Sequence, residues 1–202
     1  RIVVFSTACV YPFVAINGPG ADESVVPNPP SGEYANSCVA RERVFEYFSQ
    51  INGTTGRIIR LSYAIDMRYG VLHDIARKIL DDAPIELAMG AVNVIWQGDA
   101  NAQVLRALSV CTAPMSALNV SGPMQHVRDL ALGLGRRLGR APRFSGKEAR
   151  NAWVIDCREA TRLFGQPSVP IETLLDWTAD WVARGGTSLG KETHFETRDG
   201  HY

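Results

Sequence analysis

The stretch Arg1-Ile2-Val3-Val4-Phe5-Ser6-Thr7-Ala8-Cys9-Val10-Tyr11 decides how this chain is read. Its first half is apolar and β-branched without alternation, the pattern of a strand buried on both faces, as strands of parallel sheets are. Its second half gathers hydroxyl and thiol side chains at the strand's carboxyl end, where open α/β sheets hold their ligands. The strand has no turn, cap or methionine before it, which reads as a start in mid-domain.

Outward from this strand, Ala15 to Gly32 is rich in proline and glycine and reads as a long loop, a length that usually marks function. Val39, Val44, Phe45, Phe48 and Ile51 recur at helical spacing, predicting a helix from Tyr34 to Ile51 that ends at Gly53. Arg57 to Ser62 reads as a second buried strand. Helices follow at Val71–Leu80, Asp99–Leu108, Val127–Leu138, Arg158–Phe164 and Ile171–Val182, with strands at Pro84–Leu87, Val92–Trp96, Ala117–Val120 and Ala152–Ile155. Strands alternating with helices predict an α/β fold with a largely parallel sheet. The polar tail from Gly185 to Tyr202, containing His194 and Phe195, reads as a surface wrap without chemistry.

The 202 residues are 46% hydrophobic and 21% charged, an ordinary globular composition. Lysine plus arginine balances aspartate plus glutamate at 21 each, which leaves no net field to attract nucleic acid or an anionic membrane. No apolar run is long enough to span a bilayer and no signal peptide is recognisable, so a soluble, cytoplasmic protein is expected. Cys9, Cys38, Cys111 and Cys157 lie far apart without a CxxC pair, which argues for reduced thiols and against a zinc site.

Chemistry is expected from the hydroxyls at the end of the first strand and from Tyr34 at the mouth of the following helix. Thr7 is suited to orient a carbonyl or alcohol oxygen, and the Tyr34 phenol to act as general acid or base. Gly133-x-Gly135-x-x-x-Gly139 is no dinucleotide fingerprint, because it follows a helix rather than a strand and its spacing is wrong; weakly packed helix glycines explain it better.

The order of these features resembles that of the extended short-chain dehydrogenases/reductases of the NAD-dependent epimerase/dehydratase family. It runs from the hydroxyl cluster through Val10-Tyr11 and the Pro/Gly loop to Tyr34-x-x-Ser37 and Ala40-Arg41-Glu42-Arg43. The similarity continues through Arg57-Ile-Ile-Arg-Leu-Ser-Tyr63, the segment Asn93 to Ala100 ending near Asp99, Leu118-Asn-Val-Ser-Gly122, and the helices around Asp156 to Gly165 and Trp177. The resemblance implies the C-terminal part of a Rossmann-like parallel sheet with an interleaved small α/β substrate-binding lobe. Residues 1–66 would belong to the dinucleotide side and 67–202 mostly to the substrate lobe, with 116–122 returning to the sheet. The glycine-rich turn that docks pyrophosphate is not in the sequence, so the chain would hold only the nicotinamide side of the pocket.

The resemblance also assigns roles. Thr7 falls on the family's catalytic Ser/Thr, Tyr34 on its tyrosine and Glu42 on a common helix glutamate. Ser6, Tyr34, Cys38, Leu61, Ser62 and Tyr63 would face NAD or NADP, and Tyr11, Asn93 and Trp96 would face a small-molecule substrate. A homodimer packed partly through the Tyr34 helix is implied as well. Two departures stand out. Cys38 occupies the position of the family lysine, whose charge lowers the tyrosine's pKa from its ordinary ~10. Arg41, three residues further on and on the same helical face, is the candidate replacement cation. Val92 stands where nucleotide-sugar enzymes carry a diphosphate-binding arginine, which widens the expected substrates to sugars, sugar acids and related hydroxy or carbonyl compounds. Cys38 as a nucleophile would need a nearby base, and His73, His126, His194 and His201 are all distant in sequence. A catalytically impaired, cofactor-binding relative is the competing expectation.

Overall fold

The computed structural model describes residues 1–30 and 32–200. In chain order these form β1 (Ile2–Thr7), β2 (Val14–Ala15), α1 (Glu33–Asn52), β3 (Gly56–Leu61), β4 (Ala64–Ile65), α2 (Val71–Leu80), β5 (Pro84–Glu86), β6 (Ala91–Asn93) and β7 (Ile95–Trp96). There follow α3 (Gln97–Ala107), β8 (Ser116–Val120), β9 (Met124–His126), α4 (Val127–Leu138), β10 (Arg143–Ser145), β11 (Asn151–Ala152), α5 (Arg158–Phe164) and α6 (Ile171–Ala183).

The buried-strand reading holds at the centre. β1, β3 and β8 form a parallel sheet in the order β1-β3-β8, with Val4 opposite Ile58 and Ile59 opposite Leu118. Ile58, Ile59, Leu118 and Val120 are fully buried, as strands covered on both faces must be. The crossover helix α1 packs on β1, while α3 and α5 lie near β8. A second layer gathers α2, α4 and α6 around Leu72, Ile75, Leu130, Leu134, Leu174 and Leu175. Four two-stranded ladders, β2 with β11, β4 with β7, β5 with β10 and β6 with β9, accompany the central sheet among the described residues.

Four expectations change in detail. Of the apolar residues that marked α1 only Val39 and Phe45 pack inward, and only in part: Val44, Phe48 and Ile51 are exposed, while Ala35, Cys38, Glu42 and Ser49 are buried. Small side chains let the helix approach the sheet closely, and Glu42 faces in because it has a buried partner. The expected strand Val92–Trp96 divides at Val94, with β6 pairing antiparallel to β9 and β7 parallel to β4. Of the expected strand Ala152–Ile155 only Asn151–Ala152 forms a ladder, and Ile155 makes a single bridge to Ala21. Gly133 and Gly135 do lie in α4, but Gly135 is tightly packed: a Cβ there would stand 2.6 Å from the Arg140 carbonyl oxygen.

A buried polar chain ties the layers together. Ser6 Oγ donates to Glu42 Oε1 (2.5 Å), Arg60 donates to both Glu42 oxygens (3.0 and 2.7 Å), and Arg60 Nη1 donates to Tyr11 Oη (2.8 Å). Tyr11 Oη in turn donates to Asn119 Oδ1 (2.8 Å), and Asn119 Nδ2 donates to the carbonyls of Ala21 (2.9 Å) and Asp156 (3.0 Å). One chain of hydrogen bonds thus links β1, α1, β3, β8, the long loop and the approach to α5.

Glu42 is only 1% exposed, so removing one member of its pair with Arg60 leaves an uncompensated buried charge. Glu42→Gln should lower unfolding stability by about 3–5 kcal/mol, whereas Glu42→Leu combined with Arg60→Met should cost markedly less. Urea denaturation midpoints test this ranking; equal losses for the single and double variants would show that the charge pairing is not what matters.

Candidate functional site

At the carboxyl ends of β1 and β3 a cleft of about 580 Å³ opens between the sheet and the second layer. Ser6 to Cys9 form one wall, Leu61 to Ile65 a second, and Tyr34, Gln97 and Trp153 stand around it. Parallel strands bring their carboxyl ends to one side, so hydroxyls following β1 and β3 in sequence become neighbours in space.

Thr7 ends β1 and caps the 3-10 turn after it, its Oγ1 accepting from the Cys9 amide (3.3 Å). The hydroxyl proton of Thr7 remains for another acceptor. Tyr34, on the first turn of α1, is 51% exposed and carries its phenol to the same cleft. Burial of the phenol, then the Cys38 thiol, raise its pKa above the ordinary value, opposed by a hydrogen bond with Thr7. Thr7, distant in sequence from Tyr34 and Cys38, therefore shares one electrostatic neighbourhood with them, and its balance disfavours the phenolate.

The remaining expected site residues separate into two groups. Leu61, Ser62 and Tyr63 line the cleft, with Ser62 held by its amide to the Val120 carbonyl (3.2 Å) and Tyr63 in a left-handed backbone (φ 23°). Burial drives the Tyr63 phenol well above the ordinary tyrosine range. Ser6 borders the cleft, but its hydroxyl is committed to Glu42. Arg41 donates to the Phe5 carbonyl (2.8 Å), which turns its guanidinium toward the backbone of β1.

Tyr11 and Asn93, expected to touch substrate, lie in the interior instead. Tyr11 is 1% exposed and hydrogen-bonded to Arg60 and Asn119; burial outweighs both and pushes its pKa up to about 12. Asn93 donates to the Gly122 and Ile155 carbonyls (3.0 and 3.1 Å) and accepts from the Ile155 amide (2.9 Å), so its amide is fully used. Trp96 packs edge-on against Trp177, with centroids 5.7 Å apart, next to the cleft residue Gln97.

Sequence reading missed Tyr69, Gly70, Gln97, Trp153 and the run Lys191 to His194, all of which line the cleft. The last of these corrects the tail. It does wrap the surface, but Phe195 is buried in the core of the second layer and Lys191–His194 face the site. Phe195, an aromatic residue flanked by polar ones, was the available signal, since such a residue marks an anchor. Tyr202 and His201 lie outside the described residues. Among the described residues of the long loop none lines this cleft; the loop is held by Asn119, through Glu23 Oε1 and the Ala21 carbonyl. Among the described residues no cluster of histidine, cysteine, aspartate or glutamate is arranged to hold a metal ion, and no helix is long and apolar enough to cross a membrane.

No family model and no curated protein matches this sequence. Solved structures do. The UDP-glucose 4-epimerase of Thermus thermophilus, in complex with NAD, superposes with a TM-score of 0.72 at 22% identity, covering 91% of this chain and 63% of that one. RMD from Pseudomonas aeruginosa complexed with NADPH gives 0.75 at 21% identity, covering 90% and 66%. The dTDP-glucose 4,6-dehydratase of Bacillus anthracis str. Ames, in complex with NAD, gives 0.77 at 15% identity, covering 91% and 62%. The chain spans less than two thirds of each. It has the α/β fold of the corresponding part of these proteins, a Rossmann-like parallel sheet with a smaller α/β lobe.

The two tyrosines can be told apart by substitution. Tyr11→Phe strips Asn119 Oδ1 and Arg60 of a buried partner and should cost about 1–3 kcal/mol of stability. Tyr34→Phe, at a half-exposed position, should change stability by less than about 0.5 kcal/mol. Thermal unfolding of both variants checks the assignment, and the reverse order would mean that site and core have been exchanged.

Proposed function

We propose that the protein is a nicotinamide-dinucleotide-dependent oxidoreductase of the extended short-chain dehydrogenase/reductase, epimerase/dehydratase type. Its substrate in this reading is a sugar, sugar acid or related hydroxy or carbonyl compound. The observation that carries the reading is the convergence of the Thr7 hydroxyl and the Tyr34 phenol in one cleft at the carboxyl ends of parallel strands. The similar folds solved with NAD or NADPH add support.

The residues present suit the nicotinamide end of such a cofactor. Thr7, Leu61, Ser62 and Tyr63 would hold it against the strand ends, while Cys38 brings no ammonium to the ribose. When bound, NAD or NADP supplies hydride transfer to or from the substrate carbon. Thr7 orients the substrate oxygen with its hydroxyl. Tyr34, whose phenol stays protonated at neutral pH, gives its proton to that oxygen as negative charge develops there. This arrangement favours carbonyl reduction over alcohol oxidation near neutrality, because only reduction uses the neutral phenol. In the same reading residues 1–66 and 116–122 form the dinucleotide side and the rest the substrate lobe. A cytoplasmic homodimer would pack in part through α1, whose outer face exposes Val44, Tyr47, Phe48 and Ile51.

A second reading, a cofactor-binding relative without turnover, is favoured by Cys38, because a buried thiol replaces the cation that would ready Tyr34 as a base. The two differ in their response to pH and to restoration of the lysine. With the full-length protein, a reduced cofactor and a panel of carbonyl compounds, reduction should be flat between roughly pH 6 and 8. Alcohol oxidation should climb with pH and reach no plateau below the ordinary tyrosine value of about 10, since a raised pKa moves phenolate formation upward. Cys38→Lys should bring that climb to lower pH. Cofactor binding without turnover in either direction, and no gain from Cys38→Lys, would establish the second reading.

A further inference from the structure

The residues that follow α6 form a strap pinned along its length. Leu189 donates its amide to the Arg68 carbonyl (3.1 Å), and Thr193 donates both its amide (2.9 Å) and its hydroxyl (2.6 Å) to Asp74 Oδ2. Phe195 is 1% exposed within the core of the second layer, and Glu196 pairs with Lys78 (2.7 Å). Arg198 donates to the Asn151 carbonyl (2.9 Å) and side chain (2.6 Å), and stacks over the Phe13 ring (4.1 Å). Gly200 then packs on Gly32 at the start of α1, where a Cβ on Gly32 would come within 2.7 Å of the Gly200 carbonyl oxygen. Ordering a polar chain costs roughly 1–2 kcal/mol per residue in backbone entropy, so this many anchors fix a defined path rather than a loose tail.

Between the first two anchors and Phe195 the strap presents Lys191, Glu192 and His194 to the cleft. His194 holds a left-handed backbone (φ 50°), a conformation that non-glycine residues keep only where their surroundings enforce it. The charge distribution decides what this segment can do. Of the residues lining the cleft, Lys191 is the one lysine or arginine and Glu192 the one carboxylate; the others are hydroxyl, thiol, amide, imidazole or apolar. Among the described residues neither the Lys191 ammonium nor the Glu192 carboxylate has a hydrogen-bond or ion-pair partner. The helix side of the site brings no lysine, because the turn after Tyr34 carries Cys38 and Arg41 is bound to the Phe5 carbonyl.

We propose that the strap is the substrate-recognising wall of the cleft, with Lys191 pairing to an anionic group of a polyhydroxylated substrate and Glu192 accepting hydrogen bonds from its hydroxyls. Asp74 is a positioning residue: it touches no substrate but clamps Thr193 and so fixes the residues on either side. The anionic group is a carboxylate or a phosphate, the two small anions an ammonium binds through charge-assisted hydrogen bonds. This deepens the oxidoreductase reading and rests on it for the identity of the cleft.

The test is calorimetric titration of the full-length protein with glucose, glucuronate and glucose 1-phosphate, each alone and with saturating reduced cofactor. Glucuronate or glucose 1-phosphate should bind about five- to tenfold more tightly than glucose, the effect of one charge-assisted contact at a partly solvated site. The stronger of the two identifies the anion. Lys191→Ala, at an exposed position where folding is not at stake, should abolish the preference, and Lys191→Arg should retain it. Asp74→Asn should weaken anion binding by loosening the clamp, by less than Lys191→Ala does. No preference for either anion in the parent protein, or a preference that survives Lys191→Ala, overturns the proposal. Failure of the reduced cofactor to bind would instead remove the oxidoreductase reading, and the anion preference would still decide the role of Lys191.

Discussion

The pairing of Glu42 with Arg60 constrains more of this molecule than any other single contact. A carboxylate and a guanidinium in a low-dielectric interior are tolerated only when each is fully hydrogen-bonded, and the partners they recruit set the relations between layers. Arg60 lies on the central strand β3, so α1 must turn the Glu42 face toward the sheet. That rotation carries Ala35, Cys38 and Ser49 inward and leaves Val44, Phe48 and Ile51 outside. It also fixes where the first turn of α1 ends, and with it the approach of Tyr34 to the strand ends. The third nitrogen of the guanidinium, Nη1, reaches Tyr11, and through it Asn119 on β8. Strand order and helix rotation are thus coupled through polar atoms, while apolar burial supplies most of the driving force.

The cleft follows from that frame. Parallel strands release their chains on one side, so β1 and β3 deliver Thr7 and Ser62 to adjoining walls of one cleft. The interior chain and the cleft chain of hydroxyls run side by side. Ser6 faces Glu42, and Thr7, one residue later and on the opposite side of the pleat, faces the opening. A one-residue slip of β1 against β3 would exchange these roles, which is why the buried register matters to chemistry as well as to packing.

The same distinction explains which site residues the sequence could and could not mark. Thr7, Tyr34, Leu61, Ser62 and Tyr63 sit at ends of elements, where a polar or aromatic side chain has room to leave the core, and they do meet in the cleft. Tyr11 and Asn93 also follow or end strands and look equally available. Both are drawn inward because backbone groups and Arg60 needed partners that only the folded arrangement supplies. Their chemistry as donors and acceptors was readable; whether water, ligand or protein would satisfy them was not. Lys191 to His194 pose the reverse case, since nothing in their own composition separates them from a solvated tail. Phe195 is what brings them to the site, by burying its ring in the core of the second layer and taking its neighbours with it.

By itself the sequence determined the parallel α/β architecture, because strand segments rich in β-branched residues at Ile2–Phe5 and Arg57–Leu61 alternating with helices admit few other layerings. It also determined the chemical inventory at the strand ends and the neutral thiol at Cys38, since both are properties of local residue type. Tertiary structure alone decided which face α1 buries, which polar residues serve the interior, and that the chain's final segment closes one wall of the cleft. Those outcomes depend on contacts between residues separated by 18 to 119 positions, such as Glu42 with Arg60, Tyr11 with Asn119 and Asp74 with Thr193. Residue type fixes what each partner can bond, and only the folded chain fixes which partner it meets.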